Sequence, residues 1–196
     1  MAEKFDPSHA DKLENPERLV ELPPAKLAEL LRLGGAEIVV DFGAGPGMNS
    51  IPLASAVPLG QVLAVDEQPA LLDRLRAKLE ARPSCGNVQP VLSEDGRVPL
   101  DDGVADRMLI VNVLHHVDDD PAALTEIFRL LAPGGLLVVA EFARMDRPVG
   151  PPNDHVLALD EIRALITGAG LEELALYGPG KVGLYHNVIV AEKPRP

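Results

Sequence analysis

A chain of 196 residues can bury a core without cross-links, and its single cysteine, Cys85, leaves no intrachain disulfide and no zinc cluster, so no metal site is expected. Thirty acidic against 18 basic side chains give a formal charge of −12, which disfavours nucleic acid, and 3% aromatic residues with no Trp offer little to stack on unpaired bases. The charged N-terminus, MAEKFDPSHADKLENPER, is unlike a signal peptide, and no apolar run approaches the ~18 residues of a bilayer span, so a cytoplasmic protein without membrane insertion is expected.

Residues 1–22 are polar, interrupted by Pro7 and Pro16, and read as an N-terminal arm, carrying Phe5 and His9, that either folds over the ligand as a lid or frays; residues 23–196 read as one domain. PPAKLAELLRLGG predicts a helix with proline at its start, an apolar stripe of Leu27, Leu30, Leu31 and Leu33, and Gly34 as its cap. AEIVVDF is a short apolar run suited to a buried strand. The alternation then continues: NSIPLASAV helix, QVLAVD strand, PALLDRLRAKLEA helix, VQPVL strand. Pro90 cannot donate to a ladder, so VQPVL belongs at an edge or a bulge. RMLIVNV is a strand, PAALTEIFRLLAPGG a helix closed by Pro133 and Gly134, LLVVAEF a strand, and LDEIRALITGAG a helix ended by Gly168 or Gly170. ELALYG and HNVIVAEK close the chain as a pair suited to a hairpin. Strand and helix in alternation predict an α/β protein with a mainly parallel sheet, helices on both faces, right-handed crossovers and a ligand at the carboxyl ends of the strands.

The stretch VVDFGAGPGMNS follows the first strand, where such a ligand binds. Gly43, Gly45 and Gly47 permit close approach of a ligand and left-handed backbone, and a tight strand-to-helix turn accounts for them equally. A dinucleotide loop would carry its third glycine at Met48, and no GKS or GKT marks a P-loop. Acids stand at successive strand ends: Asp41 opens the loop, Asp66 ends the next strand, and Glu94 and Asp95 follow the third. A carboxylate at Asp66 suits the two hydroxyls of a ribose, and one after the third strand suits an adenine amine. No Lys or Arg stands near the loop in the sequence, so a phosphate would be repelled and a cationic nucleoside accepted. S-adenosylmethionine, with adenine, ribose, sulfonium and ammonium and no phosphate, fits.

With DFGAGPG, VDE, SEDGRVPL and DRMLIVNVLHHVDDDPAALTEIFRLLAPGGLLVVAEF in that order, the chain resembles a class I S-adenosylmethionine-dependent methyltransferase of the small type 11 group, related to the ubiquinone and menaquinone biosynthesis methyltransferases. The resemblance covers about residues 25 to 192. It implies a Rossmann-like, seven-stranded, mostly parallel sheet with an antiparallel last strand. It implies that Gly43, Ala44, Gly45 and Gly47 pass under the methionine part of the cofactor, with Asp41 holding the loop and the ammonium. It places the ribose on Asp66, the adenine on Glu94 with the Asp95 backbone nearby, and Asn112 beside the cofactor. Glu67 stands where the family has an apolar residue against adenine, and Pro46 where Thr or Ser is commoner.

Methyl transfer needs alignment, exclusion of water and, for a protonated nucleophile, a base. His115, just after the fourth strand, is the candidate base; it or His116 could instead pack the following turn. The resemblance, through its GPP…H stretch and late tyrosine, favours His155 and Tyr185 over His186 as further residues of the acceptor pocket. Insertions that serve large substrates are missing, so a small-molecule acceptor is expected; a quinone precursor stays open, and the oligomeric state is not set by the sequence. A non-catalytic S-adenosylmethionine-binding regulatory or partner protein is the alternative, and a nicotinamide oxidoreductase is disfavoured by the position of the third glycine.

Overall fold

The structure, a computed structural model, describes residues 10–117, 121–148 and 150–196. Two short helices, α1 (Ala10–Leu13) and α2 (Glu17–Glu21), precede α3 (Pro24–Leu30) and then β1 (Ile38–Phe42), α4 (Ser50–Ala56), β2 (Gln61–Asp66), α5 (Pro69–Glu80) and β3 (Val88–Leu92). The second half is β4 (Ala105–Val111), α6 (Leu114–Val117), α7 (Pro121–Leu130), β5 (Leu131–Phe142), α8 (Leu159–Gly168), β6 (Glu172–Tyr177) and β7 (His186–Glu192). Phe5 and His9 of the expected lid lie outside the described residues.

The seven strands form one sheet in the order β3-β2-β1-β4-β5-β7-β6. The first five run parallel, and β7 runs antiparallel to both β5 and β6. This is the Rossmann-like methyltransferase sheet that the sequence leads one to expect. Alternation along each strand feeds two cores. Val40, Phe42, Leu63, Val65, Met108 and Ile110 face one side, covered by Leu114 of α6, Ile127 and Leu130 of α7 and Ile162 and Ile166 of α8. Val39, Val62, Ala64 and Leu109 face the other, covered by Leu27 of α3, Leu53 of α4 and Leu72 and Leu75 of α5. Both faces of the central strands are thus buried, which is why they read as continuous apolar runs rather than alternating ones.

β3 occupies an edge, where the missing N–H of Pro90 costs no inner ladder bond. The helix over residues 24–34 stops earlier than its apolar stripe suggests. It ends at Leu30, and Arg32 takes a left-handed conformation (φ 52°) in place of a glycine cap. The Glu37 carboxylate accepts from the Gly34 and Gly35 N–H groups at 2.7 and 2.9 Å and holds that loop. α7 also ends sooner, at Leu130, and Pro133 and Gly134 fall within the span of β5. There Leu131 pairs with Ala105 across an irregular register, and Gly134 N–H donates to the Lys193 carbonyl at 2.7 Å. Among the described residues no helix is long and apolar enough to cross a membrane.

Candidate active site

The glycine loop lies at the carboxyl end of β1 and folds back on β2. Gly43 and Ala44 N–H groups both donate to the Val65 carbonyl, at 2.8 and 2.9 Å. A Cβ on Gly43 would fall 2.2 Å from Cγ2 of Val113, and one on Gly47 would fall 2.4 Å from Cδ1 of Leu75; both glycines also have positive φ. Their side chains are therefore excluded by the protein's own packing. Gly45 differs: its nearest neighbour is Cδ1 of Leu13, in α1, at 3.7 Å. It is the one of the three at which an added Cβ would meet no clash.

Asp66 is tied directly to this loop. Its Oδ2 accepts from Gly45 N–H at 2.8 Å and its Oδ1 from Gln68 N–H at 2.9 Å. The side chain is 8% exposed, and burial raises its affinity for a proton. A carboxylate oxygen accepts more than one hydrogen bond, which is what a ribose diol requires. Asp41 is 1% exposed and accepts from the Ser50 hydroxyl at 2.5 Å, pinning the start of α4. Burial pushes the Asp41 carboxyl up to about 6, against the Ser50 bond, with Asp66 adding repulsion.

After β3 the backbones of Glu94 and Arg97 exchange two 2.9 Å hydrogen bonds around a two-residue turn, with Asp95 at φ 50° and Gly96 at φ 72°. The Asp-Gly pair at these left-handed positions is a hairpin signal visible in the sequence. Ser93 N–H donates to the Asp66 carbonyl at 2.9 Å, so this turn is fastened to the end of β2. Glu67, Glu94 and Asp95 are exposed at the rim.

The expectation that no cation stands near the loop fails in space. α5 brings Lys78 to the Pro46 carbonyl at 2.7 Å, where it also pairs with Glu14 at 2.6 Å. Arg74, one turn earlier, pairs with Asp11 and Glu14, each at 2.7 Å. Residues 11–14 are thereby clasped to α5 beside the loop, and the loop's cation is already neutralised.

Across the sheet, the ends of β4, β5 and β7 carry a second group. Asn112 has a left-handed backbone (φ 55°), donates its N–H to the Ala140 carbonyl at 2.8 Å, and sets its Nδ2 3.3 Å from Nε2 of His186. Asparagine tolerates this conformation better than most residues, and the strain is held by those two contacts. His115 Nδ1 lies 2.7 Å from Oε2 of Glu141. Oε1 of the same carboxylate accepts from Val113 and Leu114 N–H at 2.6 and 2.7 Å. His116 is exposed, with its ring centroid 4.1 Å from that of His115.

His186 is 2% exposed and stacks on Phe142 at 4.4 Å between centroids; burial, with Arg18 and Arg147 nearby, pushes its imidazole down to about 4. It is neutral near pH 7 and part of the core. Tyr185 is half-buried at the start of β7, its carbonyl accepting from Ala143 N–H at 2.8 Å. His155 is exposed in the short 3-10 turn Asn153–His155. Arg147 ties that turn back to β5 through Asn153 Oδ1 at 2.7 Å and the Ala143 carbonyl at 3.0 Å.

The structure thus joins His115 and Asn112 to the ends of β4 and β5 and leaves His155 on the outer loop. Glu141 escapes the sequence reading, although the signal was present: an acid ending the apolar run LLVVAEF, as Asp41 and Asp66 end theirs.

A family model described as a methyltransferase domain, type 11, matches residues 40–139. The chain belongs to this family, whose class I members use S-adenosylmethionine as methyl donor. It is similar to the ubiquinone/menaquinone biosynthesis C-methyltransferase UbiE of Geobacter sp. (strain M21), 30% identical over 118 residues that cover 60% of this chain and 50% of that protein. It is also similar to the demethylmenaquinone methyltransferase of Mycolicibacterium gilvum (strain PYR-GCK), 35% identical over 59% of this chain and 46% of that protein. The match spans about half the length of these curated relatives. The solved structure of a SAM-dependent methyltransferase from Aquifex aeolicus superposes with a TM-score of 0.89 at 27% identity, covering 97% of this chain and 100% of that one.

Proposed function

We propose that this chain transfers a methyl group from S-adenosylmethionine to a small-molecule acceptor held over the ends of β4 and β5. The observation that carries this reading is the contact between its two halves. Gly43 of the glycine loop packs against Val113, the residue that leads into the helix of His115, so closely that a Cβ would meet it at 2.2 Å. In this reading a ligand lying along the loop lies near the segment that carries His115.

In this reading Gly43, Ala44, Gly45 and Gly47 pass under the methionine portion, with Gly45 the point of closest approach, and Asp41 stiffens the loop through Ser50. Asp66 takes the ribose hydroxyls. Glu94 and the Asp95 backbone meet the adenine from the rim, with Glu67 beside them, and Asn112 flanks the cofactor. When bound, the cofactor supplies a methyl group already activated by its sulfonium. The chain's own residues then orient the acceptor, exclude water and receive any proton it loses. His115 is the base, and Tyr185 and His155 line the acceptor side. Residues 1–22 act as the lid of the 23–196 domain, with Leu13 over Gly45 and the Asp11 and Glu14 clasp holding it shut.

The test is transfer of labelled methyl from S-adenosylmethionine to a panel of small phenols, enols, amines and thiols. Turnover on a member of the panel that is lost in His115→Ala, with S-adenosylhomocysteine still bound, supports the reading. Tight cofactor binding with no turnover on any member favours the non-catalytic alternative.

A further inference from the structure

We propose that Glu141 is a positioning residue that fixes His115 as the tautomer protonated at Nδ1, leaving Nε2 as the lone pair that takes a proton from the acceptor. The proposal rests on the methyltransferase reading only for the identity of the acceptor; the tautomer is a property of the protein alone.

Three donors converge on one carboxylate that is 2% exposed. Val113 and Leu114 N–H groups reach Oε1, and the His115 ring reaches Oε2 at 2.7 Å. An ionised carboxylate only accepts, so the ring nitrogen facing it must carry the hydrogen. In a neutral imidazole the lone pair is then on Nε2, which has no hydrogen-bond partner among the described residues. α6 has four residues and cannot hold its own first turn; Glu141 satisfies two of its free N–H groups. The same side chain thus sets both the backbone that presents His115 and which ring nitrogen carries the hydrogen.

A base of this kind is of use only to an acceptor that must lose a proton. The substrate class is therefore a protic nucleophile, such as a phenolic or enolic hydroxyl. Its O–H proton passes to Nε2, its oxygen, or a carbon conjugated to it, bonds to the methyl carbon, and the electrons of the broken carbon–sulfur bond remain on sulfur, leaving a neutral thioether. The imidazolium so formed is stabilised by the Glu141 carboxylate.

A purely structural role for Glu141 makes a different prediction from a positioning role, and Glu141→Gln separates them. The amide oxygen can keep both backbone donors. The amide nitrogen then faces Nδ1 and donates, so Nδ1 must accept and the proton moves to Nε2. In long-range nitrogen–proton correlation spectra of the full chain with labelled histidine, recorded where the imidazole is neutral, wild-type His115 is expected as the Nδ1–H tautomer. His115→Gln identifies the peak among the five histidines.

In Glu141→Gln the tautomer is expected to invert. S-adenosylhomocysteine binding by calorimetry is expected to stay within about twofold, and kcat to fall about 100-fold or more with KM little changed. An Nε2–H tautomer in the wild-type protein overturns the proposal even should the variant fail to fold. An unchanged tautomer in a folded Glu141→Gln also overturns it, as does methyl transfer confined to acceptors with no ionisable proton, such as a thioether. Failure of the wild-type protein to bind S-adenosylhomocysteine would sink the methyltransferase reading and leave the tautomer result standing.

Discussion

The two sides of the sheet's carboxyl edge use the same part, an acid that ends an apolar strand, and surround it differently. On the β1–β2 side two of the three partners are close in the chain: Asp41 takes Ser50, nine positions on, and Asp66 takes Gln68, two positions on, as well as Gly45, 21 positions back. On the β4–β5–β7 side they are distant: Glu141 meets His115 across 26 positions and Asn112 meets His186 across 74. On the first side Gly43 and Gly47 are packed against Val113 and Leu75, with no space for a side chain. The second carries two buried polar atoms, Asn112 Oδ1 and His186 Nδ1, that pair with nothing among the described residues. The difference is that of a closely packed loop beside a polar wall assembled from distant parts of the chain.

The strongest way to break this comparison is inside the glycine loop. Gly43→Ala and Gly47→Ala combine left-handed strain of ~1–2 kcal/mol with overpacking of ~1–3 kcal/mol, so losses near 3 kcal/mol are expected for each. Gly45→Ala carries the strain without the clash and should lose about 1–2 kcal/mol while impairing cofactor binding more than its stability. Far-UV circular dichroism during urea unfolding reads this, since the chain has no Trp. Equal losses at all three positions would refute the division between buttressed and open glycines.

Acidity separates the two sides next. Asp41 is pushed up to about 6 from 3.8, so it binds a proton more tightly folded than unfolded, and its stabilising contribution is lost as pH rises through about 6. His186 is pushed down to about 4 from 6.5, so its contribution is full above 6.5 and is lost as pH falls towards 4. Across pH 4 to 6.5 the two oppose each other. Asp41→Asn should therefore lose stability on acidification relative to the wild type, by about 3 kcal/mol, and His186→Gln should gain a similar amount. Parallel pH profiles for the wild type and both variants would contradict the assignment of these buried groups.

The smallest effect is expected at the clasp. Glu14→Ala removes partly exposed ion pairs to Arg74 and Lys78 and should cost under about 1 kcal/mol, yet speed release of S-adenosylhomocysteine if residues 1–22 are the lid. An unchanged release rate at low salt would remove the lid from the account.

How much was legible in the sequence follows the same divide. The succession of strands and helices, the edge position of Pro90 and the acids of the first side could be read because periodicity, turn residues and short-range pairing are local. The glycines were legible as a turn, but their cause was not: Val113 and Leu75 come from elsewhere in the chain. Lys78 could not be placed beside Pro46 without the packing of α5, and Glu141 could not be paired with His115 without the parallel register of β4 and β5. Tyr185 ranked above His186 on resemblance, whereas the fold buries His186 against Phe142 and Asn112.

The central claim is that Asp66 and the loop it holds bind the nucleoside of S-adenosylmethionine. Calorimetric titration of the wild-type chain and of Asp66→Asn with S-adenosylhomocysteine, and separately with NAD, tests it most directly. One site for S-adenosylhomocysteine in the wild type, weakened at least tenfold by Asp66→Asn, with no heat from NAD, is the predicted result. Binding of NAD in preference, or S-adenosylhomocysteine affinity indifferent to Asp66→Asn, would contradict it.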